Sequence, residues 1–244
     1  MCGRYASSRS PQQLVEEFEV ESVQAPVLAP DYNIAPSKSV YAVLERPEKD
    51  DRPRHRQLRS LTWGLIPPWA KDPTIGNRLI NARVETVAEK PSFSRAFAAR
   101  RTILPADGYY EWYATKVKNA AGRQVKQPFF IRPKDKSILA MAGLYEIWRD
   151  QSLPEDDPGG FRWTCTILTT SAEDALGQIH PRMPLMLTPA QYDEWLDPTL
   201  KDPQRLQALL TPAAPGRLEA YPVSTLVSNV RNNGAQLIDS VSLD

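Results

Sequence analysis

The most strand-like stretch of the chain is Ile138-Leu139-Ala140-Met141-Ala142-Gly143-Leu144-Tyr145-Glu146-Ile147-Trp148, a run rich in apolar and aromatic side chains. Similar alternating or β-rich runs occur on both sides of it, so strands make up most of the predicted elements. Besides residues 138–148, we predict six strands, over residues 40–44, 58–63, 102–104, 108–113, 129–132 and 161–169.

Short helices are predicted between these strands. Ser10-Pro11-Gln12-Gln13 has the sequence of a capping box with proline at the first helical position, and Thr188-Pro189-Ala190-Gln191 repeats it. Asp202-Pro203 opens a third helix, which we expect to continue through Leu210. The helices do not alternate regularly with the strands. This pattern predicts an α+β fold with flanking helices and a barrel-like, mainly antiparallel β-core.

The composition is that of a globular protein. Hydrophobic residues make up 41% of the 244 residues and charged residues 24%, which excludes a disordered chain. This length suits one large domain or two small ones. No signal peptide is recognisable, and no apolar run approaches the roughly 20 residues that span a bilayer. We therefore expect a cytoplasmic protein with no membrane partner.

Cysteine and histidine are scarce. Cys2 and Cys165 give no disulfide framework and suggest a reducing compartment, and Cys165 is expected to be buried in a strand. Together with His55 and His180, they are too few and too scattered for a structural zinc site, so we expect no metal. His55 has several arginines around it and is expected in a loop.

Charge is unevenly distributed although the net charge is only +1. Residues 52–101 carry eleven Lys or Arg against three acids, and residues 145–200 carry three arginines against ten acids. Arginine outnumbers lysine twenty to ten, which suits bidentate contacts with phosphate. The basic stretch also holds Trp63 and Trp69, and rings beside arginines could stack the bases of a single strand. The alternatives are a solvated charged surface and burial of both tryptophans.

The second residue of the chain is a cysteine, whose small side chain permits removal of Met1. A mature chain beginning at Cys2 would carry an α-amine and a thiol on one residue. The pKa of an α-amine is near ~8, so some of it is free base at neutral pH. Such an aminothiol condenses with an aldehyde through its amine, and the thiol then closes the imine to a thiazolidine. The alternative is that Cys2 is a small apolar residue of the first strand.

Three other polar positions are candidates for chemistry. Asn81 follows an extended apolar stretch. Glu111 lies between aromatic residues in a predicted strand, where burial would raise its pKa and suit it to proton transfer. His180 lies on a turn stiffened by two prolines. The alternatives are that Glu111 faces outward from an amphipathic strand and that His180 is structural.

Seven short motifs follow one another along the chain. They are Cys2-Gly3-Arg4-Tyr5, Asn33-Ile34-Ala35-Pro36, Trp63-Gly64-Leu65-Ile66-Pro67, Asn81-Ala82-Arg83 with Glu85-Thr86, Gly108 with Tyr110-Glu111-Trp112, Ala142-Gly143-Leu144-Tyr145, and His180 with Arg182-Met183-Pro184. In these motifs and their order, the chain resembles the SOS response-associated peptidase (SRAP) family, which comprises the abasic-site processing proteins. The resemblance runs from residue 2 to about residue 230, with one departure: the family usually has Val-Asn after Val-Ser near the C-terminus, whereas Val227 is followed here by Ser228 and Asn229.

The resemblance implies one SRAP domain over residues 1–244, with no cofactor. It implies that the mature Cys2 forms a covalent crosslink with the ring-opened aldehyde of an abasic site in single-stranded DNA. Asn81 is then expected to hydrogen-bond the N-terminal residue or the sugar, and Glu111 to move protons during imine formation. His180 is expected to open the sugar ring and to help reverse the adduct. Cys2, Glu111 and His180 could also support self-removal of Met1.

The resemblance further implies a groove for single-stranded DNA on a monomeric protein, at the nucleoid if the protein is bacterial. Two other functions stay open: a cysteine hydrolase that uses Cys2 and His180 on other proteins, and a non-enzymatic single-strand binding module. The expected DNA contacts are arginines at the phosphates, tryptophans as wedges or stacking surfaces, and one proline, namely Arg4, Arg83, Arg182, Trp63, Trp69, Trp112 and Pro36.

Overall fold

The computed structural model describes residues 2–46, 54–118, 121–172, 176–212 and 215–243. Met1, and with it the expected self-removal, lies outside these residues. The strands of the described chain are β1 (Tyr5–Ser7), β2 (Ser22–Val23), β3 (Asp31–Ile34), β4 (Ser39–Arg46), β5 (His55–Trp63), β6 (Asn81–Arg83), β7 (Arg101–Ala106), β8 (Gly108–Lys118), β9 (Gln124–Pro133), β10 (Leu139–Arg149), β11 (Phe161–Ser171), β12 (Arg182–Pro184) and β13 (Leu218–Pro222). Its α-helices are α1 (Pro11–Phe18), α2 (Ser94–Ala99), α3 (Leu176–Ile179), α4 (Tyr192–Leu196) and α5 (Pro203–Ala208).

Five of these strands close into a barrel. The sheet runs from β11 through β10, β7 and β4 to β5, and each of these neighbours is antiparallel. The circle is closed by a parallel pair between β5 and β11, in which Thr62 lies beside Thr164 and Trp63 beside Cys165. Closure pairs strand edges that would otherwise be open. The predicted α+β class with a barrel-like, mainly antiparallel core is confirmed.

Side chains of the barrel strands point alternately to two hydrophobic cores, as the two-residue period of a strand requires. In β4, Val40, Ala42 and Leu44 belong to one cluster of buried residues, which also contains Cys2. Their neighbours in the strand, such as Val43, belong to a second cluster with apolar side chains of α1, α2, α4 and α5. The first cluster therefore fills the barrel, and the second joins its outer surface to the helices.

A second sheet has the strand order β13-β9-β8-β1-β3 and contains the first strand of the chain, β1. Along β8, Tyr109 belongs to the barrel cluster and Tyr110 to a separate cluster with Phe130. Glu111 therefore faces the same way as Tyr109. Tyr5 of β1 pairs with Tyr109, which brings the residues at the N-terminus alongside this face of β8.

The seven predicted strands are all confirmed, and most are longer than predicted. The capping box at Ser10 is also confirmed, since Gln13 N–H donates to Ser10 Oγ and Ser10 N–H donates to Gln13 Oε1. The second signature produces a 3₁₀ turn, Pro189–Gln191, that leads into α4, and α5 ends at Ala208 and not at Leu210.

One prediction about the fold is wrong. His55 is the first residue of β5 and pairs with Arg46, because β5 runs antiparallel to β4 over its full length and the pairing extends the strand into the arginine-rich segment. The six other strands of the described chain were not among those predicted, since two to five residues are too few to show a clear period; they are β1, β2, β3, β6, β12 and β13.

Candidate active site

Cys2 is fully buried in the barrel cluster. Its Sγ lies 4.0 Å from the Arg4 carbonyl oxygen, which also accepts a hydrogen bond from Tyr110 N–H. Burial raises the pKa of the Cys2 thiol, and the nearby negative charge of Glu111 raises it further. The thiol is therefore protonated at neutral pH and needs a base before it can act as a nucleophile.

Asn81 holds the backbone of Cys2. Strand β6 pairs in parallel with β11, with Asn81 beside Ile167, and this pairing fixes where the amide points. Asn81 Nδ2 donates a 2.8 Å hydrogen bond to the Cys2 carbonyl oxygen. The amide oxygen, Oδ1, is buried and accepts no hydrogen bond from any described residue. Asn81 thus anchors the N-terminal segment and keeps one buried acceptor for a further donor.

Glu111 is buried beside Cys2, with its carboxylate on the barrel side of β8. Burial raises the pKa of Glu111, and the nearby His180 opposes that shift. His180 Nδ1 lies 4.0 Å from Glu111 Oε1. A carboxyl group of raised pKa can hold or release a proton near neutrality, which is what a general acid or base requires.

His180 has a backbone partner for either protonation state of Nδ1. It follows α3, which packs against β8 and so brings the imidazole to Glu111. Arg182 N–H lies 3.0 Å from Nδ1 and can donate to it when it is unprotonated. The Arg182 carbonyl oxygen lies 3.1 Å from the same nitrogen and can accept from Nδ1–H when it is protonated. The ring orientation therefore persists when a proton is gained or lost.

Cys2, Asn81, Glu111 and His180 thus form one cluster, although they come from four separate parts of the chain. Asn81 contacts Cys2 directly, the charge of Glu111 raises the pKa of the Cys2 thiol, and His180 adjoins Glu111. We call these four residues the Cys2 cluster. It combines a thiol, a buried acid and an imidazole, which is a sufficient set for covalent catalysis with proton transfer.

Arg4 and Trp112 lie next to each other, and Trp112 projects from the face of β8 opposite to that of Glu111. The Arg4 guanidinium is 5.7 Å from the centre of the Trp112 ring, within range of a cation–π interaction. Arg4 Nη1 donates to Asn33 Oδ1 at 2.6 Å and to the Val227 carbonyl oxygen at 2.9 Å. Trp112 Nε1–H donates to Ser228 Oγ at 3.1 Å, so the residue that departs from the family pattern contacts a predicted DNA-binding side chain.

The two other predicted phosphate-binding arginines differ in availability. Arg182 forms a two-pronged ion pair with Glu85 and also donates to the Thr169 carbonyl oxygen. The same pairing lowers the pKa of Glu85. Arg83 lies in β6, two residues from Asn81, and its side chain is exposed. A phosphate can reach Arg83 directly, whereas at Arg182 it must compete with a carboxylate that is already in place.

The expected stacking role of Trp63 is wrong. Trp63 is only 1% exposed, its ring meets Tyr5 edge-on at 5.2 Å, and its Nε1–H donates to the Ile80 carbonyl oxygen. The barrel closure at the end of β5 buries it, so no base can stack on it. Trp69 is 56% exposed and Pro36 is half-buried, so both remain accessible to a ligand.

Residues 1–230 of the chain match the family described as SOS response associated peptidase (SRAP). The chain belongs to the SRAP family. It is 41% identical over 241 residues to the abasic site processing protein YoqW of Bacillus subtilis (strain 168). The aligned region covers 98% of this chain and 100% of that relative. The abasic site processing protein YoaM of the same strain is 39% identical, with 98% of each chain covered. A crystal structure of a protein from Bacteroides thetaiotaomicron has a TM-score of 0.81 at 25% identity, covering 99% of this chain and 100% of that one.

The charge asymmetry of this SRAP chain is partly cancelled within the fold. Arginines of the basic stretch pair with acids of the acidic stretch: Arg54 with Asp197 at 2.7 Å, Arg56 with Asp193 at 2.5 Å, and Arg100 with Glu146. These three arginines are therefore less available to a polyanion. Besides Arg54, the exposed cations among the described residues of this stretch are Lys71, Arg78, Arg83, Lys90 and Arg95.

Two residues of the site carried no role in the sequence interpretation. Tyr109 is fully buried, and burial together with the charges of Cys2 and Glu111 raises the pKa of its phenol well above the usual value. Its position two residues before Glu111 in a strand already indicates a shared face. Asn33 is buried and bonds both Arg4 and the backbone of the C-terminal segment, and no sequence pattern indicates that contact.

In the part of the chain that the structure describes, no helix is long and apolar enough to cross a membrane. Over the same residues, no group of three or more His, Cys, Asp or Glu side chains could hold a metal ion.

Proposed function

We propose that this chain is an abasic-site processing protein that crosslinks covalently, through Cys2, to an abasic site in single-stranded DNA. The observation that carries the proposal is the Cys2 cluster, in which Asn81 anchors Cys2, Glu111 lies near Cys2 and His180 adjoins Glu111. The name of the relatives YoqW and YoaM, abasic site processing protein, supports the same function.

The chemistry begins once Met1 is removed and the nitrogen of Cys2 becomes a free α-amine. The amine adds to the aldehyde carbon C1′ of the opened sugar and gives a carbinolamine. Loss of one water gives an imine, and the Cys2 sulfur then adds to the imine carbon while the nitrogen takes up a proton. The product is a thiazolidine. One water is released in total, no electrons are transferred, and no co-reactant is needed.

Each proton in this sequence has a group that can move it. His180 delivers a proton to the sugar ring oxygen and so opens the ring, and the same residue assists the reverse reaction. Glu111 removes a proton from the amine and returns one to the departing hydroxyl. Because the pKa of the Cys2 thiol is raised by burial, Glu111 is also the base that accepts the thiol proton as sulfur attacks. Asn81 Oδ1 accepts a hydrogen bond from the Cys2 amine or from the sugar hydroxyl.

The strand itself is held by groups around the cluster. Arg83 contacts a phosphate, and the Arg4–Trp112 pair offers a cation beside a ring to the adjacent nucleotide. Trp69 and Pro36 are accessible for a stacking or wedge contact. Arg182 serves chiefly to hold β12 and Glu85 in place behind His180, because its guanidinium is already paired.

The two competing functions are less well supported. A hydrolase acting on other proteins agrees with the word peptidase in the family description but not with the names of the relatives YoqW and YoaM. A simple binding module would not need a buried acid and an imidazole beside an N-terminal thiol. Self-removal of Met1 is compatible with the cluster, since the bond to be cut is the one that precedes Cys2. Intact-mass measurement of a Glu111→Gln variant tests it: retention of Met1 supports self-removal, and its loss contradicts it.

The crosslink is tested with a labelled single-stranded oligonucleotide that carries one abasic site. Wild-type protein should give a band that survives boiling in detergent, and Cys2→Ala should give none. Cys165→Ala is the matched control, since it removes the other buried thiol of the hydrophobic cluster that fills the barrel and should leave the band unchanged. An oligonucleotide with a tetrahydrofuran at the lesion has no aldehyde and should not react. A stable band from Cys2→Ala, or from the tetrahydrofuran, would overturn the proposal.

A further inference from the structure

The hairpin of β8 and β9 extends beyond the Cys2 cluster as an exposed ribbon. We define the ribbon as residues 113–118 and 124–127. Before the ribbon, β8 is buried from Gly108 to Glu111. From Tyr113 onward most of its side chains are exposed. At about 3.3 Å per residue, the β8 half reaches roughly 20 Å past Trp112. The ribbon is thus an arm that starts at the candidate active site.

The ribbon is strongly and exclusively basic. Residues 112–127 contain Lys116, Lys118, Arg123 and Lys126 and no Asp or Glu. The three lysines are all exposed. This differs from the basic stretch at residues 52–101, where acids from elsewhere in the chain neutralise several arginines. The ribbon therefore presents a concentrated positive charge to solvent.

The ribbon is not a regular hairpin. The register shifts between Ala114 and Lys118, so that β8 has a bulge there. Thr115 secures this bulge, because its Oγ1–H donates to the Val125 carbonyl oxygen at 2.9 Å and Gln124 Nε2 donates to the Thr115 carbonyl oxygen at 2.7 Å. A bulge held by specific side-chain bonds re-aims the side chains beside it, and Lys116 is one of them.

One face of the ribbon continues the face of β8 that carries Trp112. Trp112 pairs with Pro128 and Ala114 pairs with Lys126. Directly opposed residues share a face, and residues two apart in a strand do as well. Lys126 therefore lies on the same face as Trp112, whose ring packs against the Arg4 guanidinium.

From these observations we propose that the ribbon binds the phosphodiester backbone of the single DNA strand whose lesion lies at Cys2, and so extends the footprint to one side of the lesion. The inference rests on the proposed function and adds a second contact region to it. Lysines interleaved with an exposed ring, Tyr113, suit a single strand, whose phosphates pair with cations and whose bases are free to stack. A plainer explanation is that the lysines only protect strand edges from pairing with other chains, and the experiment distinguishes the two.

The test measures non-covalent binding to intact single-stranded oligonucleotides with no abasic site, so it does not depend on the crosslink. The ribbon variant is Lys116→Gln/Lys118→Gln/Lys126→Gln. The matched control is Lys134→Gln/Lys136→Gln/Lys201→Gln, which removes the same charge from exposed lysines elsewhere; two of these follow the far end of β9. Thermal unfolding of both variants checks that each is folded.

The expected result is that the ribbon variant binds a long single strand more weakly, by up to about a hundredfold at 0.1 M salt, and that the slope of log affinity against log salt falls by about two. The control should match wild type. With oligonucleotides that carry a tetrahydrofuran, which cannot crosslink, and that are extended on only one side of it, wild-type affinity should rise with length on one of the two sides, and the ribbon variant should lose that rise. The crosslinking rate at saturating DNA should be unchanged.

Three outcomes would overturn the proposal: equal affinity of the ribbon and control variants, an equal loss with blunt duplex DNA of the same length, and equal competition by polyglutamate, which would indicate a general anion surface. If wild type forms no crosslink while the ribbon variant still loses single-strand affinity, the proposed function fails and the ribbon assignment stands.

Discussion

Cys2 and Glu111 share one buried site that disfavours negative charge on either side chain. Burial disfavours the thiolate and the carboxylate alike, and the negative charge of Glu111 raises the pKa of the Cys2 thiol further. The pair is therefore expected to carry at most one negative charge, and a proton passes from sulfur to the carboxylate only as the sulfur attacks. His180, 4.0 Å from Glu111, is placed to stabilise that single charge.

The first prediction concerns the pH dependence of crosslinking. The basic form of Glu111 is present only above its raised pKa, so the wild-type rate should climb with pH over a range that starts higher than an ordinary glutamate would give. Glu111→Gln should react at least tenfold more slowly, and its optimum should shift to higher pH because the amine and thiol must then lose their protons unaided. Crosslinking rates from pH 5 to pH 9 check this.

The pH dependence of folding stability serves as a control for the Glu111→Gln variant. A carboxyl group whose folded pKa is raised stabilises the folded state least when it is ionised, so wild type loses stability as pH rises above about 4.5, the ordinary value. Glu111→Gln lacks this loss. Its urea midpoint relative to wild type should therefore be higher at pH 8 than at pH 5. A variant that is slower and also less stable at pH 8 would contradict the assignment of Glu111 as a buried base.

The second prediction separates His180 from Glu111. If His180 delivers the proton that opens the sugar and returns it during reversal, His180→Ala should slow formation modestly and make the adduct markedly longer-lived. The measurement is a chase, in which excess unlabelled abasic strand is added to preformed adduct and the loss of labelled adduct is followed. Release as fast as wild type would show that His180 has no part in reversal.

At the scale of elements, the pairing of β8 with β9 determines both the direction of Glu111 and the reach of the ribbon. Gly108 opens β8 at a point where β9 comes very close. A Cβ atom there would lie 2.5 Å from the Ile131 carbonyl oxygen and 2.5 Å from the Phe130 ring. Only glycine fits without moving one of these strands.

The third prediction follows from that contact. Gly108→Ala should lower the free energy of unfolding by about 1–3 kcal/mol, because the strands must separate, and should also slow crosslinking by displacing Glu111. Gly160→Ala is the matched control, since an added Cβ there meets no atom within 4 Å, and it should change stability by less than about 0.5 kcal/mol. Urea unfolding of both variants gives the comparison, and equal midpoints would contradict the close-packing argument.

At the scale of the whole molecule, a buried arginine joins the outer helices to the barrel. Arg56, in β5, donates to Glu45 of β4, to the Phe18 carbonyl oxygen at the end of α1, and to Asp193 of α4. Arg56 and Glu45 are both buried, and Glu45 also lies 3.3 Å from Nε of the more exposed Arg54.

The fourth prediction tests this junction. Arg56→Met leaves the buried Glu45 with only Arg54 as an ion-pair partner and should cost up to about 3–5 kcal/mol of stability. Asp193→Asn should cost less than about 1 kcal/mol, because the Asp193 side chain is 87% exposed. The two free energies of unfolding are compared by urea titration. Similar losses in both variants would mean that the surface contact, not the buried pair, holds the helices.

Much of the fold and of the site could be predicted from the sequence because local rules govern them. Strand periodicity and β-rich composition located the seven main strands, and the capping box at Ser10 located α1. The motifs also pointed to Cys2, Asn81, Glu111 and His180, which the fold brings together. The roles of these residues remain predictions.

Only the tertiary structure decided the features that depend on contacts between distant parts of the chain. The parallel pair of β5 with β11 closes the barrel and buries Trp63, which the local sequence left equally suited to stacking on DNA. The pairing of Arg54 and Arg56 with distant acids, and of Arg182 with Glu85, neutralises charges that a count along the chain treats as free. Periodicity and composition report on neighbours in sequence, whereas burial and charge neutralisation are set by neighbours in space.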